Sequence, residues 1–598
     1  MGHHFIKKFL AHDGSTLTGS QPLTSKFITK IIMIRYIQLL LLLLFALPVS
    51  GVCQTDSSES GKRINVLDFE ISAVSEIDQT EAIQKVIDQA SEGDTVFFPN
   101  GQYLIRTILL RSGINILSEG TIKHHGAAKA GEYSIEKQNS PNPLILGKEV
   151  NNVSISLKGE SKNEGIYLLN SHQIRIYNTE LIGDSTKRRA FPGVMTFESS
   201  EVVISNTRIH HFGMPRSETH SYQPGTGIRI LSSHSISIHD SEIYKNGENG
   251  VFIHGSEKVE VSGNVIHHNG MSAIQVAFGG SGKEKDYNFS NNIMDGNAAD
   301  AIDINNRSKE KAKDIECLIV ENITCGNGFV KNESTPDGSG IVTLINVSNV
   351  VIYKNEAYKN NRPAIYLESC GLVLAKENRA DNQVEITLDL EELHLHNNRF
   401  SSINLIANTN AKKIHLRENN LGSLSLPNGI QVDEFIVENN SFTHANFNFN
   451  MTGQVHLIGN QIKNSSKNQA ILITKADNAL LENNTILSQN SSAIVIRNTA
   501  KKVQIIGNQI NSFNTAIFDD NSQELAVKNN IITSIAGGKE NQAFRSHYPQ
   551  NLTLVGNEYR GIENTETVLL VGKGKATVGK EKLISGTANY GGVEISKY

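Results

Sequence analysis

Between residues 227 and 306 one short pattern occurs four times: Gly227-Ile-Arg-Ile230, Gly250-Val-Phe-Ile253, Ala273-Ile-Gln-Val276 and Ala301-Ile-Asp-Ile304. The first three starts are 23 residues apart and the fourth follows after 28. A small residue followed by apolar, polar and apolar residues is a short strand with one face in a core. Such a strand cannot bury its apolar face alone. Returning at a steady period, it stacks on the next copy, and the chain winds into a solenoid.

A solenoid grows along one axis, so 598 residues need no division into several cores. The 48 glycines, 12 prolines and absence of tryptophan fit short strands and tight turns better than long helices. A net charge of −5 supplies no basic surface, which argues against a nucleic-acid partner. Cys53, Cys317, Cys325 and Cys370 lack zinc-like spacing. Cys317 and Cys325 are read either as a disulfide pair or as two unrelated buried thiols.

Residues 1–53 read as an N-terminal extension and a secretory signal. Arg35 precedes the apolar run Leu39–Leu47, and Pro48-Val-Ser-Gly51 supplies small residues at the exit. The run is short for a membrane span, so the expectation is a secreted protein (periplasmic, extracellular or cell-surface) with no stable span once the signal is removed. Val52, directly before Cys53, argues against lipid anchoring there. Residues 54–63 are polar and serine-rich and read as a linker, 64–567 as the solenoid, and 568–598 as a C-terminal cap or tail.

The start of the solenoid carries a second pattern. Asp78 and Glu81 form a capping box. Ile83, Val86, Ile87 and Ala90 then make one apolar helical face. Thr95-Val-Phe-Phe98, a turn at Pro99-Asn-Gly101 and Tyr103-Leu-Ile105 follow as strands. In Thr80-Glu-Ala-Ile-Gln84, Val86-Ile-Asp88, Val96-Phe-Phe-Pro99 and Gly101-Gln-Tyr103, residues 66–123 resemble the N-terminal module of the pectate-lyase-like right-handed parallel β-helix superfamily. That superfamily includes polygalacturonases, rhamnogalacturonases and mannuronan epimerases. Glu70 stands where the family has glycine. The resemblance implies an all-β right-handed parallel β-helix with a short capping α-helix over its open end. It says little about activity, because one fold hosts many.

From about residue 193 the coils carry a recurring Asn, one residue, apolar signature, at Asn264, Asn292, Asn398, Asn440, Asn460, Asn484, Asn508, Asn530 and Asn557. An asparagine at one coil corner can stack and bond the turn backbone, so these are read as structural. Some sixteen coils at about 4.8 Å each would make a rod on the order of 75 Å long.

Strand alternation sends Arg229, Phe252, Gln275 and Asp303 outward in one column, with His254 and Asn305 one outward position further. His210, Tyr244, His267 and Asp295 form another column, and His211, Lys245 and His268 the next. Polar and aromatic groups on a shallow face suit a sugar chain. The plainer alternative is that any exposed solenoid face must be polar. The preferred chemistry is a lyase or epimerase acting on an acidic, uronate-containing polysaccharide. It needs a base, a charge stabiliser and an acid. His254 or His267 would be the base, Arg229 or Lys245 the stabiliser and Tyr244 the acid. Asp303 completes the catalytic candidates, and Phe252, Gln275, Asp295, Asp300, Asn305 and His210 are the substrate contacts.

The alternatives are a glycoside hydrolase using Asp295, Asp300 or Asp303, and a non-catalytic carbohydrate-binding solenoid. Polygalacturonase-like hydrolases are marked by N-T-D, D-D, G-H-G and R-I-K on successive coils. Here Asn297-Ala-Ala-Asp300 only echoes the first, Asp519-Asp520 lies about 220 residues away, and the other two are missing. The epimerase D-P-H-D/E and pectate-lyase R-x-P-x-x-R motifs are missing too. In a regular strand Asp300 and Asp303 would face opposite ways, about 10 Å apart, so they act together only if Asp300 sits in a turn. No cofactor or metal is expected. Ca²⁺ at Asp303 and Asn305 is compatible with the residues, but no motif indicates it.

Overall fold

The computed structural model describes residues 61–598 except 75, 126–142, 187–190, 215–224, 279–282, 308–311, 330–338, 452, 498, 536–540 and 564. The signal-like segment, Cys53 and nearly all of the Ala127–Pro143 loop lie outside the described residues. The rest is an all-β parallel solenoid of about 19 turns, more than the sixteen read from the repeats. It begins with a strand at Arg63–Asn65. Strands at Gly574–Gly579 and Val593–Lys597 still pair in parallel, so the coils continue past residue 567.

The central coils show how the fold works. Strands β1 (Ile228–Leu231), β2 (Val251–His254), β3 (Ile274–Ala277) and β4 (Ile302–Asn305) pair in parallel, each with the next. Ile228, Val251, Ile274 and Ile302 fall in register and are fully buried, as are Ile230, Ile253, Val276 and Ile304. Each such side chain contributes roughly 1.5–3 kcal/mol of apolar burial, repeated coil after coil. The small residue opening each strand is required by close approach. A Cβ on Gly250 would meet Ile266 Cγ2 at 2.3 Å and the Ala273 carbonyl oxygen at 2.7 Å.

The corners are held by ladders of buried polar side chains. From Asn292 to Asn557 an asparagine on each coil accepts from the backbone N–H of the asparagine one coil earlier and donates to a core-strand carbonyl, and Asn264 starts the ladder by accepting from the Ser241 N–H. Asn484, for example, accepts from Asn460 N–H at 2.9 Å and donates to the Leu457 oxygen at 2.7 Å and to Asn508 at 2.9 Å. Asn322, Asn355, Asn378 and Asn419 belong to the same ladder. A second ladder runs through Asn246, Asn269, Asn297, Asn327 and Asn360. A third, of hydroxyls, runs through Ser171, Ser199, Ser233 and Ser256. Buried backbone groups at a corner must be paired, and one repeated side chain does this for every coil.

Helix α1 (Thr80–Gln89) buries Ile83, Val86 and Ile87, with Ala90 buried at its end. Its start differs from the expected capping box. Gln79 is the N-cap and makes no side-chain cap bond. Asp78 instead accepts from the Thr80 N–H at 2.9 Å and pairs with Arg106 at 2.6 Å, so its carboxylate still serves the helix N-terminus without Glu81. Cys317 and Cys325 are not joined by a disulfide; the first lies in the core and the second is half-buried.

Replacing Asn484 with Ala strands the Asn460 N–H and the Leu457 carbonyl. About 1–3 kcal/mol is expected per stranded group. Denaturant unfolding should show this loss, while exposed Lys463→Ala on the same coil face should leave the midpoint within error.

Candidate functional site

The outward column predicted from alternation exists: Arg229, Phe252, Gln275 and Asp303 pair residue for residue on β1–β4. It extends further than the four repeats indicated. Tyr167 and Met195 precede it in register, and Thr343 and Tyr366 follow. The face changes character along the rod. Tyr167, Met195 and Leu231 form a buried apolar cluster, packed by Phe197 and Phe252. Gln275, Asp303 and Thr343 then make it polar. The upstream part had a signal in the sequence, since Gly165-Ile-Tyr-Leu168 and Gly193-Val-Met-Thr196 open like the four repeats.

Arg229 departs from its expected role. It is 2 % exposed, and its Nη2 donates to both carboxylate oxygens of Glu248 at 3.1 Å. Thr226 Oγ1 donates to the same carboxylate at 2.5 Å, and the guanidinium carbon lies 4.6 Å from the Phe252 ring centre. Burial pushes the Glu248 carboxyl up, toward about 8. The Arg229 guanidinium lies against both carboxylate oxygens. The ionised pair is the state in which neither buried charge stands uncompensated. Arg229 therefore works inside the protein.

Asp300 does sit in the turn before β4, and its carboxylate reaches the outer face. Oδ1 accepts from Thr343 Oγ1 at 2.7 Å and from the Ser339 N–H, and Oδ2 accepts from Ser272 Oγ at 3.3 Å. Thr343 is the strand neighbour of Asp303. Gln275 Nε2 donates to Asp303 Oδ2 at 2.8 Å, and Gln275 Oε1 accepts from Asn249 at 2.9 Å. The two aspartates thus share one face of one coil, joined to their neighbours by Thr343, Ser272 and Gln275. Asp300 is 3 % and Asp303 8 % exposed, so they form the floor of this face. Half-buried Phe252, His254, Gln275 and Asn305 surround them on β2–β4.

The other predicted column lies on different strands, separated from β2 and β3 by a turn. Tyr244 stacks on His210 at 4.6 Å and on His267 at 5.0 Å between ring centres, and Asp295 follows in register. The stack is held from below. His267 Nε2 meets Glu242 at 3.2 Å, and its Nδ1 meets His268 Nδ1 at 2.9 Å. Burial, then Glu242, raises the Tyr244 phenol, and burial, then His211, lowers the His210 imidazole. His211, Lys245 and His268 are corner residues with φ of 63°, 52° and 55°. Gly296 and Gly326 continue that corner at 61° and 65°, which explains the column by backbone geometry. Asn297, the echo of a hydrolase motif, is a rung of the second asparagine ladder.

Two family models match the chain. "Rhamnogalacturonase A/epimerase, pectate lyase-like" covers residues 63–158, and "Right handed beta helix region" covers residues 148–322. No curated protein matches. Among solved structures, a Yersinia enterocolitica family 28 exopolygalacturonase is 13 % identical over 62 % of this chain and 80 % of its own, with a TM-score of 0.41. PfbA, a surface adhesin of Streptococcus pneumoniae, is 15 % identical over 62 % of this chain and 93 % of its own, with a TM-score of 0.42. The Azotobacter vinelandii mannuronan C-5 epimerase AlgE4 A-module is 12 % identical over 74 % and 99 %, with a TM-score of 0.30. These likenesses carry no residue-level correspondence. No helix among the described residues is long and apolar enough to cross a membrane.

Arg229→Ala removes the guanidinium that compensates the buried Glu248 carboxylate. The expected cost is about 3–5 kcal/mol, in contrast to the small stability change expected of an outward strand residue. Urea unfolding checks this, and Arg229→Ala combined with Glu248→Leu should recover much of the loss.

Proposed function

We propose, taking as premise that this chain belongs to the pectate-lyase-like right-handed parallel β-helix superfamily, that it acts on a polysaccharide laid along the outer face of β1–β4. The proposed reaction is glycoside hydrolysis through Asp300 and Asp303. The observation that carries this reading is the placement of both carboxylates on one face of one coil, against the alternation that a regular strand would impose. Hydrolysis needs one carboxyl group to protonate the leaving oxygen and a second to activate water or attack the sugar. Half-buried Phe252 offers an apolar surface beside them, and His254 and Asn305 offer hydrogen bonds to hydroxyl groups. The pair belongs to this chain's own coil and does not reproduce the polygalacturonase motif set.

The lyase or epimerase reading, preferred on sequence, has less support. Of its two charge stabilisers, Arg229 is committed to Glu248 and Lys245 sits at a coil corner; its acid Tyr244 holds its proton more tightly than usual, and both nitrogens of His267, one of its two bases, are engaged. His254 is the remaining half-buried imidazole among its named candidates. A second reading, binding without cleavage, is favoured by the low exposure of both aspartates. Export through the Leu39–Leu47 segment completes the proposal, since a polysaccharide-processing protein meets its substrate outside the cytoplasm.

Purified chain is incubated with a panel of acidic and neutral polysaccharides, reading both reducing ends and unsaturated-product absorbance. Hydrolysis predicts new reducing ends without the unsaturated chromophore. Asp300→Asn and Asp303→Asn should each lower turnover by roughly 10²-fold or more, the scale of losing an acid or base. His254→Ala should act mainly on KM. Unsaturated products that persist in both aspartate variants would restore the lyase reading. Retention of a polysaccharide without either product would support binding alone.

A further inference from the structure

Three coils beyond Asp303, on another face of the rod, histidines gather that the proposed reaction does not use. Strand β5 (Val384–His396) carries His394 and His396, two residues apart and so on one side, and strand β6 (Asn410–Arg417) places His415 directly beside His394. One nitrogen from each ring lies within 4.8 Å of the other two. The ring centres are 5.6, 5.7 and 5.2 Å apart. An ion about 2.0–2.1 Å from each nitrogen, with the ring centre about 1.15 Å beyond it, sets three imidazoles about 5.2 Å apart at tetrahedral angles. The observed triangle is close to that.

The hydrogen bonds point the same way. His394 Nε2 meets Glu392 Oε1 at 2.8 Å, and His415 Nε2 meets Glu438 Oε2 at 3.1 Å. That leaves Nδ1 of each for the centre of the triangle. His394 Nδ1 and His396 Nε2 are buried with no hydrogen-bond partner, a costly arrangement for rings that only face one another. A carboxylate on the far nitrogen fixes the tautomer and raises the basicity of a metal-ligating histidine. Burial, together with the neighbouring histidines, lowers the His396 imidazole to about 3 and also lowers His394.

We propose that His394 Nδ1, His396 Nε2 and His415 Nδ1 bind one late first-row divalent metal ion of the zinc class. Three neutral nitrogen donors suit zinc, cobalt, nickel or copper and are poor ligands for calcium or magnesium. They leave a fourth tetrahedral position for water or an anion. Glu392 and Glu438 hold the rings and offset the ion's charge.

The test uses the purified full chain, freed of metal and titrated with cobalt(II). One equivalent should produce the strong visible absorption of tetrahedral cobalt, and zinc(II) should displace it. X-ray absorption should show three imidazole nitrogens. His396→Ala should abolish the spectrum, whereas His254→Ala, on the other face, should keep it. Glu392→Gln should keep the geometry and weaken affinity about 10–100-fold, a change a merely folded-state role would not produce. The proposal is overturned if wild-type chain gives only the pale octahedral spectrum, or if His396→Ala takes up cobalt unchanged. Should that variant misfold, the absorption data on wild-type chain decide alone.

Discussion

In-register parallel stacking is the constraint on which the rest of this molecule depends. Each coil sits about 4.8 Å from the next, so any side chain is surrounded by its counterparts one coil away. Inward positions are then apolar on most coils, and in the four central repeats the residue opening each strand is small, as the close approach of Gly250 to Ile266 shows. Corner amides must be paired on every coil too, which the asparagine ladders accomplish with one side chain per turn. The same rule arranges the outer faces. A functional group is placed by its coil and its position in the strand, and its neighbours are whatever those positions hold on adjacent coils.

Departures from the regular coil are where chemistry concentrates. Asp300 comes from a turn and is held on the Asp303 face by Thr343 on the following coil. Glu248 comes from the equivalent turn two coils earlier and takes the guanidinium of Arg229. The two turns place carboxylates against the same strand face with different outcomes, a closed ion pair in one and an aspartate pair in the other. His394, His396 and His415 use the regular lattice instead, two positions on one strand and one on the next.

The fold was legible in the sequence because inward columns repeat the same residue types at a steady spacing. The asparagine ladder was legible for the same reason, although coils such as those at Asn322 and Asn355 escaped notice where loops lengthen the period. The outward direction of Arg229 was legible and its burial was not. Alternation fixes which way a side chain leaves the strand, not what packs over it, and the partner Glu248 lies in a turn with no periodic signature. The placement of Asp300 on the Asp303 face likewise involves Thr343, about forty residues on. His394 and His396 are visible as a pair, but placing His415 beside them requires knowing that this coil is 21 residues long.

The central claim is that a saccharide lies along the β1–β4 face over Asp300 and Asp303. A crystal structure of the Asp303→Asn chain soaked with an oligosaccharide from its best substrate tests this most directly. The account predicts a sugar ring against Phe252 and a glycosidic oxygen within hydrogen-bond reach of residue 303. An oligosaccharide bound on another face of the rod, with β1–β4 unoccupied, would contradict it.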